Sequence, residues 1–223
     1  EQSWLAYFPT TFFGAVMGIS GLGLAWRQAE VSLGWSDLPG DAILLIGAAI
    51  LILATPLYLI KILRLPEAFQ RDVDHPVKSA FLSAFPVGLS LQVSALAPLH
   101  MEAATLLWLF AAPASLLVNF FVFSRWYLIG EGTARINALW MIPAAGSFLI
   151  ALAGQQVGFN EAAWFFFAIG VVFGGSILII TIYRYISEPR LPDPVVPTYF
   201  VPLVPPGLMS IIYPMITNWQ PGD

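Results

Sequence analysis

The sequence predicts an all-α protein that crosses a membrane several times. Hydrophobic residues make up 58% of its 223 residues and charged residues 10%, whereas ordinary globular domains are about 25% charged. The mean hydropathy of +0.80 is too high for a protein whose whole surface faces water. Seven apolar runs, each close to the roughly 20 residues that a helix needs to cross a bilayer, take up most of the chain. We therefore expect one transmembrane domain over residues 1–223.

Each apolar run is expected to be a helix. No water reaches the bilayer core to satisfy an open backbone, and the strand-length alternation of a membrane β-barrel is absent. Charged residues lie at the boundaries of the runs: the first run ends before Arg27, the second follows Asp41 and the sixth follows Glu161. In chain order the predicted spans are Ala6–Trp26, Ala42–Leu63, Ala80–Leu99, Ala103–Tyr127, Ala138–Val157, Ala162–Ile186 and Tyr199–Trp219.

Basic residues are distributed unequally between the connections. Those after the even-numbered spans carry eight, and those after the odd-numbered spans carry only Arg27. Cytoplasmic loops are enriched in Lys and Arg, so we expect an inner-membrane or plasma-membrane protein whose N-terminus lies in the cytoplasm. The opposite connections, near Pro98–Glu102 and Gly158–Glu161, are short and predict helical hairpins that open toward the cytoplasm. The eight basic residues are Lys61, Arg64, Arg71, Lys78, Arg125, Arg135, Arg184 and Arg190.

A proline next to an apolar residue recurs near the cytoplasmic end of every odd-numbered span. The four pairs are Phe8-Pro9, Phe85-Pro86, Ile142-Pro143 and Val204-Pro205. Because a proline inside a helix removes a hydrogen bond and bends the helix, we predict four kinks around a common axis. The alternative is that these helices simply tolerate proline, as the even-numbered spans tolerate Pro56 and Pro113. The last hairpin of the repeat has only its first helix, so we expect the domain to be incomplete at its C-terminus.

Charged side chains are absent from the middle of the predicted spans. Lys61, Arg125 and Arg184 lie at cytoplasmic helix ends, where their long side chains are expected to reach the membrane surface. Helix N-termini that follow the prolines carry partial positive charge, so several of them around one axis would favour anions. Without a buried Lys or Arg the anion would be held weakly, which predicts a low-affinity conduit. A proton-coupled dicarboxylate carrier is the alternative, and it would need a buried titratable group.

Several other classes of protein are disfavoured. The net charge is −4 and the basic residues are scattered, so no surface for nucleic acid is predicted. The chain has no cysteine, and its two histidines, His75 and His100, lie in predicted loops. We therefore expect no metal site, no cofactor and no catalytic base for a membrane enzyme. His75 is expected to cap or position the third helix. A retinal protein would need a lysine in the last span, which has none.

Neutral polar residues and glycine pairs within the spans are expected first of all to join helices. The pairs Gly14-x-x-x-Gly18 and Gly170-x-x-x-Gly174 are typical of close helix packing. Contact with a transported solute is the alternative for each polar residue. The polar residues are Ser20, Ser90, Gln92, Ser94, Asn119, Ser147, Gln155, Ser176 and Ser210.

Five segments, in order along the chain, resemble one known family. The segments are Phe8-Pro9 with Gly14, Gly18, Gly21, Gly23 and Ala25-Trp26-Arg27; His75-Pro76-Val77-Lys78-Ser79-Ala80-Phe81 with Phe85-Pro86; Trp140 with Pro143 and Gly146; Trp164-Phe165-Phe166-Phe167 with Gly170 and Tyr183-Arg184; and Leu191-Pro192, Pro197-Thr198 and Pro205-Pro206. Together they resemble the tellurite-resistance/dicarboxylate transporter (TehA-like) family, which includes the plant guard-cell slow anion channels.

The resemblance implies ten helices in five hairpins about a quasi-fivefold axis, of which seven fall within this sequence. It also implies an anion pore in each protomer, lined by the odd-numbered helices, and assembly as a homotrimer. The implied substrates are small inorganic anions or C4-dicarboxylates, and tellurite resistance is a family label. The occluding phenylalanine of the family lies on its ninth helix. A truncated, non-conducting membrane protein is the remaining alternative.

The resemblance and the prolines together predict the residues that line the pore. These are the small or polar residues just past each proline: Gly14, Gly18, Ser90, Ser94, Gly146, Ser147, Pro206 and Gly207. Phe12, Phe13 and Phe148 are candidate aromatic constrictions, and apolar packing is the alternative for each of them.

Overall fold

A computed structural model describes residues 4–36, 38–75, 77–129, 136–190 and 193–217, without the side chains of residues 128, 129, 194 and 195. These residues form α-helices and 3-10 helices, and no strand occurs among them. Five positions used in the sequence analysis lie outside the described residues: Pro76, Arg135, Leu191, Pro192 and Trp219.

Nine α-helices make up the described part of the chain. They are α1 (Thr11–Leu33), α2 (Leu38–Arg64), α3 (Pro66–Asp74), α4 (Lys78–Leu82), α5 (Ala84–Leu96), α6 (Met101–Ile129), α7 (Ile142–Gln156), α8 (Asn160–Ser187) and α9 (Val204–Thr217). Three 3-10 helices, Trp4–Tyr7, Ala138–Met141 and Asp193–Leu203, precede α1, α7 and α9.

The fold class predicted from the sequence is confirmed. Among the described residues, six helical stretches are long and apolar enough to cross a membrane, and they coincide with the second to seventh predicted spans. The stretches are Leu38–Arg64, Lys78–Leu96, Met101–Tyr127, Ala138–Gln156, Asn160–Ser187 and Val196–Thr217. The first predicted span corresponds to α1, which is long enough at 23 residues. It is less apolar than the others, because its C-terminal third contains Arg27, Gln28 and Glu30.

The helices form two layers. Consecutive helices pack as hairpins, α1 with α2, α5 with α6 and α7 with α8. A second set of contacts joins α1 to α5, α5 to α7 and α7 to α9, so that these four form an inner arc. Burial is uneven along this arc: 83% of the Lys78–Leu96 span and 72% of the Ala138–Gln156 span are buried, but only 11% of the Val196–Thr217 span, against 28% of the Leu38–Arg64 span. The α5 and α7 helices therefore form the buried centre of the bundle, and α1 and α9 continue the arc on either side of them.

The prolines lie at the starts of the inner helices, whereas the sequence predicted kinks inside them. Pro9 lies two residues before α1, and Pro86, Pro143 and Pro205 lie in the first turns of α5, α7 and α9. Proline is well tolerated there because a first-turn N–H has no partner within the helix. The sequence analysis placed these prolines near the cytoplasmic ends of the spans, and the helix starts lie there; the kinks themselves stay a prediction.

Two further boundaries differ from the predicted ones. The α1 helix continues seven residues past Trp26, because Arg27 is held by contacts within the bundle. The helix is terminated by Gly34, whose φ of 69° lies in the left-handed region. The connection predicted between the second and third spans contains α3, which the sequence analysis missed. Proline at the first position of α3 and burial of Ala68 and Val73 explain why this short stretch is helical.

Candidate anion pathway

The basic end of the bundle is the end at which α2, α6 and α8 finish. It holds Lys61, Arg64, Arg125 and Arg184. The connections after α1, α5 and α7 are short, so all four inner helices begin at this end.

A strip of glycines runs along α1. Gly14, Gly18 and Gly21 follow the spacing i, i+4, i+7, which places them on one face of the helix. A Cβ atom added to Gly18 or Gly21 would meet no heavy atom within 4 Å. A Cβ atom on Gly14 would lie 2.5 Å from Cε1 of Phe81. The strip is therefore open along two of its glycines and closed by the Phe81 ring near the basic end.

The other predicted pore-lining residues divide into two groups. In the first group, a Cβ on Gly146 would lie 2.8 Å from Val87, and the hydroxyls of Ser90 and Ser147 donate to carbonyls of their own helices. These three are buried where α5 and α7 meet their neighbours. The second group remains at less crowded positions: Ser94 at the limit of burial, and Pro206 and Gly207 exposed on α9.

The three candidate constrictions occupy different environments. Phe12 is 42% exposed and stacks on Phe8, with ring centroids 4.9 Å apart. Phe13 is buried against Tyr58 and Phe85 between α1, α2 and α5. These contacts are those of packed aromatic residues.

Phe148 is fully buried and turns toward the outer helix α8. A Cβ on Gly170 would lie 2.9 Å from its ring, and the Phe167 ring meets it edge to face. Gly174 lies alongside the same ring. The glycine pair Gly170 and Gly174 therefore serves close helix packing, as the sequence predicted.

Neutral polar residues join the helices, which confirms that prediction for three contacts. Gln92 Nε2 donates to Ser20 Oγ at 2.9 Å, between α5 and α1. Asn119 Nδ2 donates to a carbonyl of α7 at 3.2 Å, and Gln155 Nε2 donates to a carbonyl of α9 at 3.3 Å. Ser176 and Ser210, in contrast, donate to carbonyls of their own helices.

An ionic cluster, which we call the Lys61 cluster, consists of the buried residues Tyr58, Lys61 and Asp72 and the partly exposed Lys78. Lys61 Nζ lies 2.5 Å from Asp72 Oδ2, and Lys78 Nζ lies 3.2 Å from Asp72 Oδ1. The Tyr58 hydroxyl donates to Asp72 at 3.2 Å, and Lys61 also donates to the Phe8 carbonyl at 2.8 Å. The cluster thereby joins α2, α3 and α4 to the segment that leads into α1.

The expectation that Lys61 reaches the membrane surface is wrong. Its side chain is only 1% exposed, because Asp72 of α3 supplies a buried counter-charge. Arg184 is corrected in the same way, since it is 6% exposed and buried against the following segment. Asp72 was missed because α3 was missed. The sequence did contain a signal for a buried carboxylate. In a helix that begins at Pro66, Asp72 lies four residues after Ala68 and is the one acidic residue on the apolar face.

Two further sets of polar contacts lie at opposite ends of the bundle. His75 Nδ1 accepts from the backbone N–H groups of Val77 and Lys78 at 3.2 and 3.4 Å, which confirms that it caps the helix that follows. At the opposite end of the bundle, Arg27 Nη1 donates to the Ala95 carbonyl at 2.7 Å, and Arg27 Nε pairs with Asp41.

Comparison with known proteins identifies the family. Residues 7–220 match the family described as voltage-dependent anion channel (SLAC1). The chain belongs to this family. The match covers nearly all of the inner arc and its outer partners, and it confirms the resemblance to the TehA-like proteins.

Relatives of this chain within the SLAC1 family come from plants, archaea and bacteria. The S-type anion channel SLAH2 of Arabidopsis thaliana is 26% identical over 97% of this chain and 44% of its own length. The uncharacterized transporter MJ0762 of Methanocaldococcus jannaschii is 26% identical over 97% of this chain and 68% of its own. The tellurite resistance protein TehA homolog of Haemophilus influenzae is 23% identical over 74% of this chain and 51% of its own.

This chain spans less than half the length of the plant channel SLAH2. SLAH2 is named as an anion channel and MJ0762 as a transporter, and none of the three relatives carries the name of an enzyme.

Proposed function

We propose that the protein carries small anions across a membrane along the inner face of the arc formed by α1, α5, α7 and α9. The observation that carries the proposal is the open glycine strip of α1, in which Gly18 and Gly21 face unfilled space beside an inner helix. Small side chains leave room for a solute, and membership of the SLAC1 family indicates that the solute is an anion. Small inorganic anions and C4-dicarboxylates are both within the proposal.

Electrostatics supports an anionic solute. The α5, α7 and α9 helices contain no charged residue, so no fixed charge repels or traps an ion along them. Their N-termini, and that of α1, lie at the basic end, where the positive ends of the helix dipoles add to the basic side chains. The Lys61 cluster adds a net positive charge at the same end, since one carboxylate faces two lysines. Anions are thus attracted to the entrance and held weakly beyond it.

The direct test is ion flux in liposomes that contain the purified protein. We expect chloride or nitrate to cross faster than sodium or potassium, because the helix N-termini favour negative charge. Equal passage of cations and anions would contradict the proposal. No flux of either kind above that of protein-free liposomes would favour the non-conducting alternative.

A proton-coupled carrier is the second candidate, because the structure contains a buried carboxylate, Asp72, which the sequence analysis did not recognise. Its two lysine partners fit a fixed structural role better than a proton relay. The same liposomes distinguish the candidates. A conduit gives anion flux without a pH gradient, whereas a carrier gives uptake that depends on one.

Replacing Gly18 with valine is expected to reduce anion flux several-fold without loss of folded protein. The new side chain would enter the open strip, where its Cβ meets no heavy atom within 4 Å. Gly175→Val is the matched control, because a Cβ there also meets nothing within 4 Å but Gly175 lies on the outer helix α8. Unchanged flux in Gly18→Val would remove the glycine strip from the pathway. Gly14→Val is expected to reduce flux as well, by displacing the Phe81 ring.

Orientation and assembly complete the proposal. The basic end is assigned to the cytoplasm, because Lys and Arg concentrate on the cytoplasmic side of membrane proteins. A homotrimer, as implied by the resemblance, is the proposed assembly.

A further inference from the structure

We propose that the basic end of α8 holds a binding site for a small inorganic oxyanion, formed by Arg184 and Thr181. The site lies on an outer helix, so it is separate from the passage along α1. Neither the family match nor the relatives' names assign a function to it.

Arg184 is a buried cation that has no counter-charge among the described residues. The residue is 6% exposed. Its Nη1 donates to the Pro189 carbonyl at 3.0 Å. Its Nε is buried and has no hydrogen-bond partner in the part of the chain that the structure describes. Nε lies on the side edge of the guanidinium, away from Nη1, and arginine uses this edge to bind oxyanions through two parallel hydrogen bonds.

Thr181 adds a second unpaired donor. It is fully buried, and its hydroxyl has no hydrogen-bond partner. This is unusual within the protein, because the hydroxyls of Thr55 and Thr105 donate to carbonyls one turn earlier in their helices. Thr181 and Arg184 are three residues apart, which places them on one face of α8 about one turn from each other. A buried hydroxyl and a buried guanidinium edge on one face both need an acceptor.

The surroundings supply a third donor of the same kind. Trp140, in the 3-10 helix before α7, packs with Met141 and Ile177, and Ile177 lies one turn before Thr181 on α8. The Nε1 atom of Trp140 is also buried without a partner. All three unpaired groups are donors, so the missing partner is an acceptor with several oxygens. The buried positive charge of Arg184 makes it an anion, and the spacing of Thr181 and Arg184 by about one helical turn restricts it to a small one.

The competing explanation is purely structural. Arg184 would then only tie the end of α8 to the following segment through Pro189. In that case substitution would lower stability equally with and without an anion. The anion dependence of stability, and not stability itself, therefore tests the proposal.

The experiment measures thermal unfolding of the purified protein in detergent, with sulfate as the probe and gluconate at matched ionic strength as reference. We expect a saturable rise in Tm with sulfate at millimolar concentrations. Thr181→Val, which keeps the side-chain shape, is expected to weaken the apparent sulfate affinity about tenfold or more through loss of a hydrogen bond to a charged group. Arg184→Gln is expected to abolish the saturable response.

Matched controls are Thr105→Val on α6 and Arg71→Gln on α3, because Thr105 already has a partner and Arg71 is exposed. Both should keep the wild-type response to sulfate. Absence of a saturable response in the wild type, or an unchanged response in Thr181→Val, would overturn the proposal. Liposome flux of Thr181→Val is expected to equal that of the wild type. If Thr181→Val lost both anion flux and sulfate binding, the site would not be separate from the passage. If the proposed transport function were wrong, the wild-type protein would show no flux but would still respond to sulfate.

Discussion

Asp72→Asn is expected to lower the free energy of unfolding by about 3–5 kcal/mol, because it leaves the buried ammonium of Lys61 without a full counter-charge. Lys61 is 1% exposed and lies 2.5 Å from the carboxylate. After the substitution, only neutral oxygens remain as acceptors for Lys61: the Phe8 carbonyl and the amide oxygen introduced at position 72. Chemical unfolding in detergent micelles measures the change. The loss of stability should be accompanied by loosening of the segment before α1, since the Lys61 cluster holds it.

The matched control for this substitution is Asp74→Asn on the same helix. Asp74 pairs with Arg125, but its side chain is 49% exposed, and an exposed ion pair contributes about 0–1 kcal/mol. A double variant, Lys61→Met with Asp72→Asn, should recover part of the lost stability, because it removes the uncompensated charge. Equal effects of the Asp72 and Asp74 substitutions would show that the Lys61 cluster is not a buried ionic anchor.

Phe148→Ala is expected to cost about 3–5 kcal/mol of stability, as is usual when a fully buried aromatic ring is removed. The ring fills the space left by Gly170 between α7 and α8, so its loss opens a cavity in the inner layer. Thermal or chemical unfolding in detergent measures the effect. Phe12→Ala is the control, since Phe12 is largely exposed and should contribute far less.

The same two variants show whether the Phe148 ring packs between helices or narrows the anion passage. If Phe148 narrowed the passage, as the sequence allowed, its removal would raise anion flux in a protein of nearly unchanged stability. The contacts with α8 predict the opposite result, which is a destabilised protein without a gain in flux.

The membrane class and most helices were predictable from the sequence, because both depend on local hydrophobicity. Bilayer thickness sets the length of an apolar run, and the short connections at 97–100 and 157–159 determine which helices are neighbours. The caps were also local: His75 binds backbone groups two and three residues away. The family was predictable too, because the five segments that resemble it occur in the same order along the chain.

The burial of charges was not predictable in the same way. Whether Lys61 extends to the membrane surface or folds inward depends on a carboxylate 11 residues away, placed by a short helix of low hydrophobicity. Likewise Ser90 and Gly146 follow prolines as expected, but the side on which a helix packs decides whether they face space or a neighbour. Periodicity alone could not choose between those faces, because nearly every residue of α5 and α7 is apolar or small.

The contacts of α1 with α5 constrain any movement of the bundle. Thr10, just before α1, donates to the Lys78 carbonyl of α4, while Gln92 of α5 donates to Ser20 and Arg27 donates to the Ala95 carbonyl of α5. Two polar contacts therefore join α1 to α5, and a third joins the start of α1 to α4. A displacement that widened the space beside α1 would have to break these contacts or carry α4 and α5 along. Such a displacement is less restricted for α9, because only 11% of the Val196–Thr217 span is buried.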